Sequence, residues 1–246
     1  MDNKIKIVFL ASNPTASGRL RLDEEYAQVK EALQHGENGK SFELIAEFAT
    51  TPRRLFDALL RHKPHIVHFS GHGDKEGGGI ILDDGFGNLK LIDKEALTKL
   101  VDVLKDNIFA VFLNSCYSGD QMDALAALVD YSIVVNNPIG DNAAINFAAT
   151  FYQALSFDRT IVEAFKLAVI SLQMNGLIGS TAPELRVRPG IEKPASVQAY
   201  LKHEVKSVEL ASQDRAGGKP IIITESTIGT LINTETLTGL TINNTQ

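Results

Sequence analysis

The sequence predicts an α/β domain in which a mostly parallel central sheet carries helices on both of its faces. Apolar runs typical of buried strands alternate along the chain with segments whose apolar residues recur at helical spacing. Two of these runs, residues 66–69 and 108–113, are almost entirely apolar, as expected of parallel strands that are covered on both faces. With 246 residues, 44% of them hydrophobic, the chain can bury a full core.

The first half of the chain predicts the order β-α-β-α-β, followed by a hairpin. Strands are expected at residues 5–11, 42–48 and 66–69, with helices from Leu22 to about Gly36 and from Pro52 to just before Pro64. Asp23, Glu24 and Glu25 are assigned to the positive end of the first helix. Residues 77–82 and 89–91, joined across 83–88, are expected to form a hairpin inserted just after His72.

The second half predicts helices at residues 94–104, 120–128, 142–155 and 160–174, with strands at 108–113 and 131–135. Residues 1–180 therefore form the predicted main domain. Beyond it, Pro183, Pro189 and Pro194 indicate irregular backbone, and apolar spacing predicts a helix within 197–210, so 181–216 is assigned as a linker with a helix. After a glycine hinge, residues 217–246 form a Thr- and Ile-rich, β-prone tail.

Composition excludes several classes of function. A net charge of -6, without a basic stripe, argues against nucleic acid as a partner. No run approaches the roughly 18 apolar residues of a membrane span, and the opening apolar run is too short for a signal peptide. A single cysteine allows no internal disulfide, so a cytoplasmic location is expected.

The only cysteine, Cys116, follows one apolar strand, and His72 follows another. Sites in parallel α/β sheets lie at such strand ends, and a thiol beside an imidazole is suited to nucleophilic acyl transfer. Small residues surround both side chains, which would let a peptide lie close to the backbone. The backbone N–H groups of Gly73 and Cys116 are the candidate oxyanion donors. The alternative for Cys116 is a buried, unreactive thiol.

Two other patterns in the sequence have simpler explanations than a metal or nucleotide site. His62, His65, His68 and His72 lie three or four residues apart, but their predicted places would not let them converge on a metal ion, and His68 is expected to form hydrogen bonds inside the core. The glycines after His72 lack the spacing of a dinucleotide or phosphate loop. We therefore expect no cofactor and no metal.

Residues 66–73 (IVHFSGHG) and 113–118 (LNSCYS) resemble the paired motifs of the CHAT family of caspase-like cysteine peptidases, related to caspases, metacaspases, gingipains and separase. Residues 9–14, 20–25 and 139–144 are also similar to bacterial CHAT sequences. The resemblance covers about residues 1–180. It implies a caspase-like three-layer α/β sandwich, a His72–Cys116 dyad and endopeptidase activity on protein substrates.

The resemblance also implies where a substrate side chain would bind, although this chain differs from the related families at individual positions. Metacaspases have an acidic residue where this chain has Asn114, which with Asp141 is assigned to substrate binding. Asp141 occupies a place similar to the acidic residue that binds a basic P1 side chain in separase-like members, which predicts cleavage after Arg or Lys. The alternative for Asp141 is the N-cap of the following helix.

The tail and the biological setting leave alternatives open. The tail is a docked strand pair, an unstructured extension, or a strand-addition segment that binds copies of the same protein or a partner such as an activating sensor or adaptor. By analogy with short bacterial CHAT effectors, a role in antiviral defence or cell death is expected. The alternative to an active peptidase is a catalytically silent caspase-like scaffold that serves as an interaction module.

Overall fold

The computed structural model describes residues 4–74, 78–115, 119–135, 140–177, 183–191, 196–197, 199–200 and 221–223. The helices are α1 Leu22–His35, α2 Pro52–His62, α3 Lys94–Leu104, α4 Gly119–Ala126, α5 Asp141–Ser156 and α6 Ile161–Met174. The strands are β1 Ile5–Ser12, β2 Phe42–Glu47, β3 Ile66–Gly71, β4 Gly73–Asp74, β5 Gly79–Asp83, β6 Leu89–Asp93, β7 Ala110–Asn114, β8 Tyr131–Val134, β9 Glu184–Val187 and β10 Ile221–Ile223.

Within these residues the central sheet has seven strands in the order β10-β9-β8-β7-β3-β1-β2. The neighbours from β2 to β8 are parallel, whereas β9 and β10 are antiparallel additions. The predicted hairpin is present as β5 and β6, which with β4 form a small separate sheet. The predicted mostly parallel α/β architecture is confirmed, and it is that of a caspase-like three-layer sandwich.

Two apolar layers hold the central sheet. One contains Val29 of α1, Phe151 of α5 and Phe165 of α6, packed against one face of the sheet. The other contains Leu59 of α2 and Val101 of α3, packed against the opposite face. Within the described part of the chain, no helix combines the length and the apolar character that crossing a bilayer requires.

Local signals in the sequence explain where the helices begin. Thr51 caps α2 by accepting a hydrogen bond from the Arg54 N–H, and Pro52 follows at the first helical position. Thr160 and Glu163 form a reciprocal capping box at the start of α6. These patterns are readable from the sequence, so the predicted helix starts agree closely with the structure.

The chain beyond the main domain differs from its prediction. Glu184–Val187, expected to be irregular, forms β9, antiparallel to β8. Four residues between two prolines carry too little periodicity to indicate a strand, and pairing with β8 decides their conformation. Within the tail, Ile221–Ile223 pairs with β9, with Ile221 opposite Val187. Residues 201–220 and 224–246 lie outside the described residues.

Gly71, at the end of β3, is required by close packing of the backbone. A Cβ atom at this position would lie 2.6 Å from the backbone oxygen of Ser12, its register partner on β1. We expect Gly71→Ala to lower the free energy of unfolding by about 1–3 kcal/mol, because a strand in mid-sheet cannot move aside. Urea unfolding measures the change.

The matched control is Gly18→Ala, since no atom lies within 4 Å of a Cβ built on Gly18. This variant should keep the stability of the wild-type protein. Equal stability of both variants would contradict the close-packing argument.

Candidate active site

A cavity of about 150 Å³ opens at the carboxyl ends of β3 and β7, between the first turns of α1 and α5. Its wall includes the predicted residues His72, Asn114 and Asp141. It also includes residues that the sequence did not single out for the site: Arg21, Glu25, Ser70 and Ser115. A cavity at this edge is where sheets of this topology bind their ligands.

The His72 side chain is held by a backbone carbonyl. Its Nε2 atom lies 2.7 Å from the carbonyl oxygen of Gly18, in the loop between β1 and α1. A carbonyl can only accept a hydrogen bond, so Nε2 carries the proton. In the neutral ring, Nδ1 then has a free lone pair and can accept a proton.

The loop that carries Gly18 is itself anchored. The Asn13 side-chain amide donates to the carbonyl of Leu20, and the Ser17 hydroxyl donates to the carbonyl of Pro14. At the other end, the Thr15 hydroxyl and the Ala16 N–H both donate to the carbonyl of Gly87, at the tip of the β5–β6 hairpin. The hairpin therefore buttresses the loop that orients His72.

The two predicted motifs leave the sheet side by side. Ser70 of β3 and Asn114 of β7 are register partners, and His72 follows Ser70 by two residues just as Cys116 follows Asn114. Ser115 is buried in the cavity wall. Cys116, with its proposed oxyanion N–H, lies outside the described residues.

Gly73, the other proposed oxyanion donor, begins β4. The Ile81 N–H donates to the His72 carbonyl, so residues 72 and 81 form a hydrogen-bonded pair of the antiparallel ladder. Because such pairs alternate along a strand, the N–H of Gly73 points away from β5. It is therefore not used in pairing with β5.

Beneath the cavity, the carboxylate of Glu25 collects three hydrogen bonds. The Asn114 amide donates to Oε1 at 2.7 Å, and His68 Nε2 lies 3.0 Å from the same oxygen. The Ser70 hydroxyl donates to Oε2 at 2.5 Å. Glu25 is only 2% exposed, so these groups replace the water that a carboxylate needs.

His68 is fully buried between aromatic rings, and its predicted hydrogen bonding inside the core is confirmed. Its ring stacks on Phe112 with 4.3 Å between centroids, and its Nδ1 atom lies 3.1 Å from the Tyr152 hydroxyl. Burial, and next the charge of Glu25, raise the pKa of Tyr152 well above its ordinary value, so the phenol keeps its proton. Because Tyr152 donates to Nδ1, the Nε2–H of His68 is the group that donates to Glu25.

Asp141 is half-buried and is the first residue of α5. The N-cap is Gly140, with a φ of 75°, so the alternative of Asp141 as N-cap is wrong. Arg21 lies nearby: its guanidinium donates to the Asn142 side chain at 2.6 Å and pairs with Glu24. The hydrogen bond with Glu24 raises the pKa of Arg21, and the charge of Asp141 adds to this.

The four closely spaced histidines have different partners. His62 lies 4.0 Å from the Glu47 carboxylate, and His65 Nδ1 accepts the Lys6 N–H. His68 and His72 bind the groups named above. Among the residues that the structure describes, no three side chains of metal-binding type come together.

Most of this chain matches the model of a known protein family. The family model of the CHAT domain matches residues 9–183, well over half of the chain. The protein belongs to the CHAT family. The match contains His72, Asn114, Cys116 and Asp141.

Two relatives with protease names are similar to this CHAT chain. A "Roc-COR-CHAT protease" from an unknown prokaryotic organism is 23% identical over 70% of the chain, and a "Probable protease" from Gillisia limnaea is 25% identical over 61%. The chain spans only 17% and 26% of the lengths of these relatives.

Among solved structures, a pyridoxal kinase from Staphylococcus aureus in complex with AMP-PCP aligns at 11% identity. The alignment covers 67% of this chain and 85% of the kinase, with a TM-score of 0.33. A score this low supports no conclusion about the CHAT chain.

Glu25 is one of the site residues that the sequence did not indicate. It was assigned to the helix dipole, but it lies three residues after Leu22 and four before Val29, on the buried face of α1. A carboxylate on the apolar face of an amphipathic helix is itself a signal, because such a group needs buried partners. The sequence contains no comparable signal for Gly18, because a residue of any type at this position would carry the same backbone carbonyl.

The hydroxyl of Tyr152 is expected to stabilise this buried chain of hydrogen bonds. Tyr152→Phe should lower the free energy of unfolding by about 1–3 kcal/mol at neutral pH, because it leaves His68 Nδ1 buried without a partner. Because the folded-state pKa of Tyr152 is raised, the unfolded chain loses this proton first as the pH rises, so stability should fall above about pH 10. The Tyr152→Phe variant should therefore lose less stability than the wild type as the pH rises above about 10.

Urea unfolding between pH 7 and 11 measures both effects. Tyr26→Phe is the control, since the Tyr26 hydroxyl has no hydrogen bond among the described residues, and it should unfold like the wild type. Wild-type stability of Tyr152→Phe at every pH would contradict the proposed role of the phenol.

Proposed function

We propose that this CHAT protein is a cysteine endopeptidase that hydrolyses peptide bonds of protein substrates through His72 and Cys116. The observation that carries the proposal is the hydrogen bond from His72 Nε2–H to the Gly18 carbonyl. It leaves Nδ1 as the ring nitrogen that can accept a proton, and the strands that precede His72 and Cys116 are neighbours in the sheet. The cavity beside it offers room for a substrate side chain.

In this mechanism, Nδ1 of His72 takes the proton of the Cys116 thiol. The thiolate attacks the scissile carbonyl carbon, and the N–H groups of Gly73 and Cys116 stabilise the oxyanion that forms. The imidazolium then gives its proton to the departing amine, leaving a thioester. Water, deprotonated by His72, hydrolyses the thioester and regenerates the thiol.

Removing either member of the dyad should abolish hydrolysis. We expect Cys116→Ala and His72→Ala each to lower kcat/KM on a fluorogenic peptide library by at least about a thousandfold. His62→Ala, a histidine outside the cavity, is the matched control and should retain activity. Equal turnover by the wild type and both dyad variants would favour the catalytically silent scaffold instead.

For specificity, we propose cleavage after Arg or Lys, with the basic P1 side chain in the cavity near Asp141. On the cavity wall, the Glu25 carboxylate is taken up by its three buried donors, and the Arg21 guanidinium binds Glu24 and Asn142. Asp141 therefore supplies the negative charge that a pocket for a cation needs. Asn114 lines the same cavity, and its amide is held by Glu25.

Neutralising Asp141 should weaken this preference selectively. Asp141→Asn is expected to lower kcat/KM for Arg and Lys at P1 by about tenfold or more, equivalent to roughly 1.4 kcal/mol, and to leave apolar P1 substrates unaffected. A positional peptide scan measures the preference. Asp57→Asn, an exposed carboxylate on α2, is the control.

A wild-type preference for acidic or apolar P1 residues would remove the proposed specificity. It would leave the peptidase chemistry intact.

The biological setting is proposed by analogy with short bacterial CHAT effectors. The protein would act in antiviral defence or cell death and would be switched on by a sensor or adaptor that engages residues 217–246. Pull-down of a partner by the 246-residue chain, lost on deletion of residues 224–246, would support this role. Full activity of the purified protein alone would contradict it.

A further inference from the structure

Glu25 lies where the parts of the active site meet. It belongs to α1, yet its hydrogen-bond donors come from β3 and β7, the two strands that lead to His72 and Cys116. Ser70 precedes His72 by two residues, and Asn114 precedes Cys116 by two. One carboxylate therefore binds both strands, in each case through a residue two positions before a member of the proposed dyad.

The helix that carries Glu25 follows directly after the loop that orients His72. The Glu25 N–H donates to the carbonyl of Arg21, in the first turn of α1, and Gly18 lies three residues before Arg21. A shift of α1 relative to the sheet would move the Gly18 carbonyl relative to the His72 ring. Glu25 joins the helix to the sheet at this place.

Stability alone does not explain a carboxylate here. Glu25 is 2% exposed and sits among apolar residues of α1 such as Leu22 and Val29. Well-packed apolar side chains often replace buried charged groups without loss of stability. A buried carboxylate on the wall of a cavity, with every contact made to an element of the site, is typical of a functional arrangement.

We propose that Glu25 is a positioning residue of the peptidase, which fixes the strand ends carrying His72 and Cys116 relative to each other and to Gly18. The inference rests on the proposed function of the dyad. Its action is geometric, because a misplacement of about 1 Å in an active site can lower a rate by about 10²-fold. It touches neither substrate nor reacting atoms in this role.

The test exchanges the carboxylate and the amide of the Glu25–Asn114 pair. Glu25→Gln keeps the shape and removes the charge, and Asn114→Asp places two carboxylates face to face. The double variant E25Q/N114D restores one carboxylate and one amide in reversed order, with His68 free to change tautomer. Glu31→Gln, an exposed glutamate on the same helix, is the control.

Peptide hydrolysis gives kcat and KM, and urea unfolding reports the fold of each variant. Because Cys116 is the only cysteine, the pH profile of its alkylation by iodoacetamide reports the dyad without a substrate. The titratable groups near the exchange are His68 and Tyr152 within the network and Arg21, His72 and Asp141 on the cavity wall. The same groups are present in every variant.

We expect E25Q to lower kcat on the order of 10- to 100-fold with little change in KM or unfolding midpoint, and to shift the alkylation profile towards that of an ordinary thiol. N114D should lose activity, because two facing carboxylates repel each other, and it should regain part of that activity as the pH is lowered and they come to share a proton. The reversed pair should recover most of the lost kcat.

Wild-type kcat and alkylation in E25Q would overturn the inference and leave the proposed peptidase standing. A loss in E25Q that follows a fall in unfolding midpoint and is not recovered by the reversed pair would assign Glu25 a structural role only, which also overturns it. If the wild-type protein hydrolyses no more peptide than Cys116→Ala, the proposed function fails, and this inference fails with it.

Discussion

The buried carboxylate of Glu25 holds together the edge of the sheet that carries the CHAT motifs. Glu25 reaches from α1 into the sheet, and the donors it binds lie on the two strands that bear the CHAT motifs. Its burial makes each of these hydrogen bonds obligatory, since water cannot replace a lost partner. The stacking of His68 on Phe112 and its contact with Tyr152 extend this rigid centre into α5.

Above that centre, backbone groups rather than side chains orient His72. The Gly18 carbonyl sets the tautomer of His72, and the absence of a Cβ on Gly71 lets β3 lie against β1 just before the histidine. The hairpin tip at Gly87 steadies the loop that supplies the carbonyl. The buried hydrogen bonds of Glu25 and the short loop that carries Gly18 thus orient the imidazole of His72.

Much of this architecture could be predicted because its signals are local. The capping residues Thr51 and Thr160, and the apolar strands that precede His72 and Cys116, specify their elements within a few residues of sequence. The hydrogen-bond partners of Glu25 could not be predicted, because Asn114 lies 89 residues away along the chain. The strand β9 was missed for the same reason, since only β8 and β10 make it a strand.

The strand β10 is synthesised later than β9, the strand with which it pairs. Ribosomes release the amino terminus first, so the parallel strands and both motifs emerge well before Ile221–Ile223. Until residues 188–223 have also been synthesised, the outer side of β9 has no neighbour from β10. A nascent chain at that stage exposes an unpaired rim of amide and carbonyl groups, a state in which other polypeptides can add a strand in its place.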